Sequence, residues 1–242
     1  MRRRNLTELA NNPDLISGIY NYCDRWCERC PLTSRCLVYA AEQEDDVSIE
    51  NHDIRNKAFW RKLGAIFQET REVIAGWAKA AGVDLTETAC EDESRYRRKR
   101  QLVDNHPLAR FGKKYANAAS DWFREFDQTM ERTESLEDAR EVIQWYQYQI
   151  AVKTIRALSG RREELEEGLD LPKDSDGSAK VALIGIDRSI AAWRLMQLSL
   201  PERAETIVPL MLQLEGLRHR LEKFFPDARS FIRPGFDVHS SV

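Results

Sequence analysis

Glycine and proline are scarce in this chain, at 11 and 8 of 242 residues. A β-sandwich or barrel needs tight turns at short intervals and draws on these two residues to make them. An all-β fold is therefore excluded. Short β-branched runs set between helices are also missing, which excludes an alternating α/β fold. No apolar run approaches the roughly 20 residues of a membrane span. Met1-Arg-Arg-Arg4 leads into Asn5-Leu-Thr-Glu-Leu9 with no apolar core segment, so no secretory signal is read and no membrane partner is expected. The expected compartment is the cytoplasm. An excess of positive charge is lacking too: the net charge is -3 and the pI about 5.9. Affinity for nucleic acid comes from many lysine and arginine contacts to phosphate, so bulk binding of that kind is disfavoured.

What the chain has in plenty is charge of both signs, 32% of residues, beside a 42% hydrophobic fraction that suffices for a core. That mixture suits amphipathic helices with solvated outer faces. Helical periodicity predicts a short helix from Pro13 through Tyr22 or Trp26 and another starting at Leu37 and fading into Glu42–Asp46. A long helix follows over about Asp53–Ala81, stopped by Gly82. Further helices are predicted from Pro107 to about Arg132, and from a capping box at Ser135-Leu-Glu-Asp138 to about Leu158 with a stop near Gly160. Asp170–Gly177 reads as a loop. Ser178 then caps a helix to about Leu200 that is apolar nearly all round and so is expected at the centre. The last helix starts near Pro201, with a kink at Pro209 or a restart near Thr206. The residues after Phe225 are expected to lie as an arm across the bundle. The predicted fold is all-α: an up-and-down helical bundle over 47–242 with an extended C-terminal tail, preceded by a four-cysteine module over 1–46.

That module carries the most specific chemical signal. Four of the five cysteines, Cys23, Cys27, Cys30 and Cys36, fall within fourteen residues in the order C-x3-C-x2-C-x5-C. In a reducing compartment clustered thiols are ligands more often than disulfides. Thiolates are soft donors, and a set of four suits Zn²⁺ or an iron–sulfur cluster. Zinc ribbons separate two C-x2-C pairs by a longer stretch, whereas these ligands are crowded and asymmetric. Short unequal spacings with a turn between them suit one loop wrapped around a [4Fe–4S] cube. Pro31 directly after Cys30 fits that turn, because it fixes φ and offers no competing amide. The ligand assignment is thus Cys23, Cys27, Cys30 and Cys36 to a [4Fe–4S] cluster, with zinc as the alternative.

Cys27-Glu-Arg-Cys30-Pro-Leu-Thr-Ser-Arg-Cys36 resembles the end of the [4Fe–4S] loop of endonuclease III-like and adenine DNA glycosylases. The resemblance covers about fourteen residues. The gap from Cys23 to Cys27 is shorter than in that loop, and the Gly-rich hairpin of those enzymes is missing. The resemblance implies the cluster type and does not imply glycosylase activity. Cys23-x3-Cys27-x2-Cys30 also has the spacing of the radical SAM motif, but Arg29 stands where that family places an aromatic residue, and Cys36 is at hand to close the fourth position. Arg25, Arg29 and Arg35 interleave the ligands. Their charge would offset a negative cluster and raise its potential, or would simply be solvated.

Other candidates are weaker. None of the four histidines has glutamate three residues before it, so the Glu-x-x-His pairs of a di-iron bundle are missing. Asp187 sits inside the most apolar helix, where a carboxylate is costly unless paired, and Tyr146, Gln147 and Lys153 are candidate partners. A buried polar pocket, or a bundle enzyme site with carboxylates such as Glu141, is weighed against a structural buried ion pair or a solvent-facing stripe, which is favoured. Arg95, Arg97, Arg98, Lys99 and Arg100 could contact nucleic acid or an acidic partner with Tyr96 for stacking, but Glu91-Asp-Glu precedes them and could neutralise them, and a solvated face is favoured. Cys90 is isolated. The sequence thus reads as an iron–sulfur helical protein in electron transfer, redox sensing or cluster-stabilised interaction, with an unknown protein or redox partner. The alternative is a zinc-stabilised adaptor or nucleic-acid-associated regulator. Whether the chain is an enzyme is left open.

Overall fold

The computed structural model describes residues 9, 11–44, 55–83, 93–126, 133–167 and 174–237. Among these the regular structure is helical, with no strand. Seven α-helices are present among the described residues: α1 (Leu37–Glu44), α2 (Lys57–Ala81), α3 (Glu93–Asp104), α4 (Pro107–Phe126), α5 (Glu134–Glu167), α6 (Asp174–Ser199) and α7 (Ala204–Phe224). No helix there is long and apolar enough to cross a membrane. The chain divides into two compact units. One comprises the described residues of Met1–Tyr20 and Cys27–Arg95, the other those of Asn21–Trp26 and Tyr96–Val242.

In the first unit, α2 begins where the Asn56 side chain accepts the Ala58 N–H at 3.0 Å. It ends at Gly82, whose φ of 67° is the left-handed stop the sequence predicts. The short helix predicted over Pro13–Trp26 does not form. Turns and a 3-10 element at Ile19–Asn21 replace it. A local reason is that Asn12 takes its own chain into a turn, its side chain accepting the Asp14 N–H at 3.0 Å.

The second unit is a bundle of α4, α5, α6 and α7, each packed on the next and α4 closing on α7. Gly160 of α5 faces Ser175 of α6, and Tyr146 faces Gly185, so these two helices run antiparallel. Phe111 meets Gly216, while Trp122 Nε1 donates to Thr206 Oγ1 at 2.9 Å, so α4 and α7 are antiparallel as well. The apolar stripe of α4 buries Leu108, Tyr115, Ala119, Trp122 and Phe123 at helical spacing. α6 is the central helix, as its all-round apolar character predicts. Its Trp193 is fully buried against Trp122 and Phe123 and donates to the Tyr115 hydroxyl at 3.0 Å.

Three predicted boundaries are corrected. The cap of α5 is Thr133, whose hydroxyl accepts the Leu136 N–H at 3.4 Å, so the capping box at Ser135 is not used. α5 does not stop at Gly160. It continues to Glu167 and packs against Ser175, where a Cβ on Gly160 would make an ordinary contact, 3.4 Å from the Ser175 nitrogen. The polar run before Ser178 is loop-like in composition, yet α6 already starts at Asp174 and buries Ser175, Asp176 and Gly177. Glu164 makes this possible by accepting the Ser175 N–H at 2.9 Å and its hydroxyl at 2.8 Å, which satisfies a first-turn amide. The last helix starts afresh at Ala204 after a 3-10 turn, Pro201–Arg203, and runs through Pro209. After it, Phe225 and Ala228 are buried and the chain folds back in turns. Lys180 of α6 donates to the Phe231 carbonyl at 2.5 Å and pairs with Asp237 at 2.7 Å.

Candidate metal centre and its neighbours

Three of the four predicted ligands lie in the first unit. Cys27 opens a 3-10 turn, Cys27–Arg29, and its carbonyl accepts the Cys30 N–H at 3.2 Å. Pro31 has no backbone N–H, so the next donor available to Cys30 is the N–H of Leu32. It donates to Cys30 Sγ at 3.4 Å. A second 3-10 turn, Thr33–Arg35, ends where the Cys36 N–H reaches the Thr33 carbonyl at 3.1 Å. The Cys36 carbonyl then accepts the Ala40 N–H at 2.9 Å, the bond that launches α1. The loop is tied down from its far side. The Arg35 carbonyl accepts the Ile16 N–H at 3.0 Å, and Arg35 Nε donates to the Asp14 carbonyl at 3.3 Å.

Cys23 lies in the second unit, in a segment that the bundle holds firmly. The Asn21 carbonyl accepts Lys153 Nζ at 3.3 Å. The Tyr22 ring packs on Phe231, with centroids 4.8 Å apart. Asp24 is the hub. Its carboxylate accepts the Tyr146 hydroxyl at 2.5 Å and Arg188 Nη1 at 2.7 Å, and its backbone carbonyl accepts Trp145 Nε1 at 3.0 Å and the Gln149 amide. Arg188 also donates to the Tyr146 hydroxyl. Arg25 adopts a left-handed φ of 58°, which bends the chain so that the Trp26 N–H reaches Asp24 Oδ1 at 3.2 Å. Trp26 then stacks on Trp145, with centroids 5.0 Å apart and planes 17° apart, and meets Tyr146 edge-on.

The electrostatics follow from burial. Lys153 is buried, which pushes its ammonium below the ordinary lysine range, and the Cys23 sulfur pulls it part of the way back. Burial works against the Arg188 charge, but Tyr146 and Asp24 more than offset it, so its pKa is raised. Tyr22 is pushed up to about 12, first by burial and then by its hydrogen bond to Asp174.

None of Cys23, Cys27, Cys30 and Cys36 is in a disulfide, and all four are partly buried. Their donor chemistry fits a soft metal centre: four thiols, one of them already accepting a backbone N–H. Among the described residues, no group of three or more His, Cys, Asp or Glu side chains is placed to hold a metal ion. The ligand assignment therefore rests on spacing and donor type. Cys90 lies outside the described residues.

Asp187 is ion-paired on a solvent-facing edge, and it is the candidate partners and the buried pocket that are corrected. Its side chain is 38% exposed, and its partners are Arg229 at 2.6 Å and Arg218 at 3.4 Å, not Tyr146, Gln147 or Lys153. The residue sits on the edge of α6 that faces α7 and the tail, so the apolar run around it does not bury it. Glu141 is exposed, and no bundle acid site is formed from the pair. The basic run is largely solvated: Arg95, Tyr96, Arg97, Arg98 and Arg100 are exposed, and Lys99 pairs with Glu166 at 3.2 Å. The structure thus adds Asp24, Tyr146, Arg188 and Lys153 to the neighbourhood of Cys23. Tyr146 and Lys153 stand out in the sequence as polar groups on a buried helix, but nothing there ties them to Asp24. Comparison of the chain with protein-family models, with curated proteins and with solved structures found no match.

Proposed function

We propose that this chain is an iron–sulfur protein in which Cys23, Cys27, Cys30 and Cys36 ligate one [4Fe–4S] cluster. The observation that carries the reading is the C-x3-C-x2-C-x5-C run with Pro31 at its turn. The N–H donated to Cys30 Sγ supports it, since hydrogen bonds to sulfur are a lever on such a centre. When bound, a cluster supplies a redox couple and part of the folding free energy of the segment that holds it.

The chain's own residues do the rest. Asp24 and Trp26 fix the backbone on either side of Arg25, next to Cys23. Arg35 ties the Cys36 end to Asp14. Arg25, Arg29 and Arg35 place positive charge between the ligands, which suits a polynuclear centre with net negative charge. The role is a cluster-stabilised fold serving electron transfer, redox sensing or interaction with a partner. A closed zinc site on the same four thiols is the second reading, favoured by the all-thiol donor set.

Anaerobic purification with a visible spectrum and metal analysis separates the two. A brown protein with thiolate-to-iron charge-transfer absorption supports the cluster. A colourless protein with about one zinc per chain contradicts it.

A further inference from the structure

Helix α2 is 25 residues long, yet Ala78 is the residue it buries. Phe59, Leu63 and Ile66 are half-buried, but five of its large apolar side chains face outward: Phe67 and Trp77 are each 65% exposed, Trp60 is 59% exposed, and Val73 and Ile74 are each 47% exposed. They are not scattered. Trp60, Phe67 and Ile74 recur at steps of seven, and Leu63, Thr70 and Trp77 do the same three residues on. This is the alternating three–four spacing of a coiled-coil seam, a repeat that matches another helix of the same repeat. The opposite face, with Ala65, Gln68, Glu72, Ala75 and Lys79, is small or polar. Gly64 and Gly76 both face open space, and each weakens a helix by roughly 0.5–1 kcal/mol relative to alanine. A helix so built draws its stability from packing its apolar face rather than from propensity.

We propose that α2 pairs with α2 of a second copy of this chain, along the seam Trp60, Leu63, Phe67, Thr70, Ile74 and Trp77. A second copy necessarily carries the matching repeat. The area is also of the right order. At roughly 150–250 Å² per aromatic side chain, the exposed parts of Trp60, Phe67 and Trp77 alone amount to roughly 300–450 Å² per copy. Val73 and Ile74 add on the order of 100 Å². Two copies together reach roughly 800–1,100 Å², around the bound of about 1,000 Å² that an interface between proteins should clear. This inference stands apart from the metal assignment, because α2 holds none of the four cysteines.

Sedimentation equilibrium of the full chain across the micromolar range tests it. The expected mass is twice the 28.1 kDa of one chain. Phe67→Glu with Trp77→Glu should return it to a single chain without loss of far-UV helicity. The uncharged pair Phe67→Ser with Trp77→Ser should weaken pairing in the same direction. Ala65→Glu with Ala75→Glu, which adds the same charge to the opposite face, should leave the mass doubled. A native chain that sediments alone at every concentration overturns the proposal and assigns the face to a different partner. A doubled mass that survives both seam variants overturns it as well, by placing the contact elsewhere.

Discussion

Asp24 and Arg188 are 164 residues apart in sequence and 2.7 Å apart in the fold. The half-exposed Arg188 charge contributes little to stability by itself. What matters more is the Tyr146 hydroxyl between them, on a side chain that is fully buried. Asp24→Ala removes its acceptor and should cost about 1–3 kcal/mol, read as a lower urea midpoint. Asp24→Asn keeps an acceptor and should cost less. A midpoint unchanged in Asp24→Ala would show that the hub does not hold residues 21–26 to the bundle.

Arg25 gives the second prediction. A non-glycine residue in the left-handed region carries roughly 1–2 kcal/mol of backbone strain. Arg25→Gly should be neutral or stabilising, whereas β-branched Arg25→Val should be clearly destabilising. Equal stability of the two variants in thermal melts would rule out the turn.

Gly177 supplies a third. A Cβ there would overlap the Tyr22 ring and come within 2.8 Å of Phe231 Cε1. Gly177→Ala should therefore cost about 1–3 kcal/mol despite the better helix propensity of alanine. A stabilised Gly177→Ala protein would mean that Tyr22 and the tail do not pack on the start of α6.

The fourth prediction concerns pH. Burial pushes the Tyr115 phenol well above the ordinary tyrosine range, although the hydrogen bond it accepts from Trp193 pulls it down. The unfolded chain releases that proton near pH 10 while the folded chain keeps it. The associated stability is complete below pH 10 and is lost as pH rises further. The tyrosine's contribution to the urea midpoint should be level up to that point and then fall. In Tyr115→Phe the decline should be shallower by up to about 1.4 kcal/mol per pH unit, the value for one proton. An identical slope in both proteins would place the tyrosine's burial in error.

The core of the bundle was legible because apolar residues recur at helical spacing: the stripe of α4 and the central place of α6 both follow from it. Boundaries were less so. Gly160 and the Asp174–Gly177 run have the composition of a stop and a loop, and it is their mutual packing, with Glu164 capping Ser175, that makes them helical. The polar groups show the same division. Tyr146 and Lys153 could be singled out as buried polar residues of α5, but assigning Asp187 to them followed from its apolar neighbours along the chain. The side of α6 it occupies is settled by Arg218 and Arg229, from elements far away in sequence. Asp24 gave no signal at all, because its importance comes from the α5 and α6 residues that converge on it.

Iron and acid-labile sulfide, counted per chain in anaerobically purified native protein and in Cys30→Ser, test the central assignment most directly. The account predicts roughly four of each in the native chain, with loss of both and of the brown colour in the variant. Zinc without sulfide, or a metal-free chain with all five thiols open to titration, would contradict it.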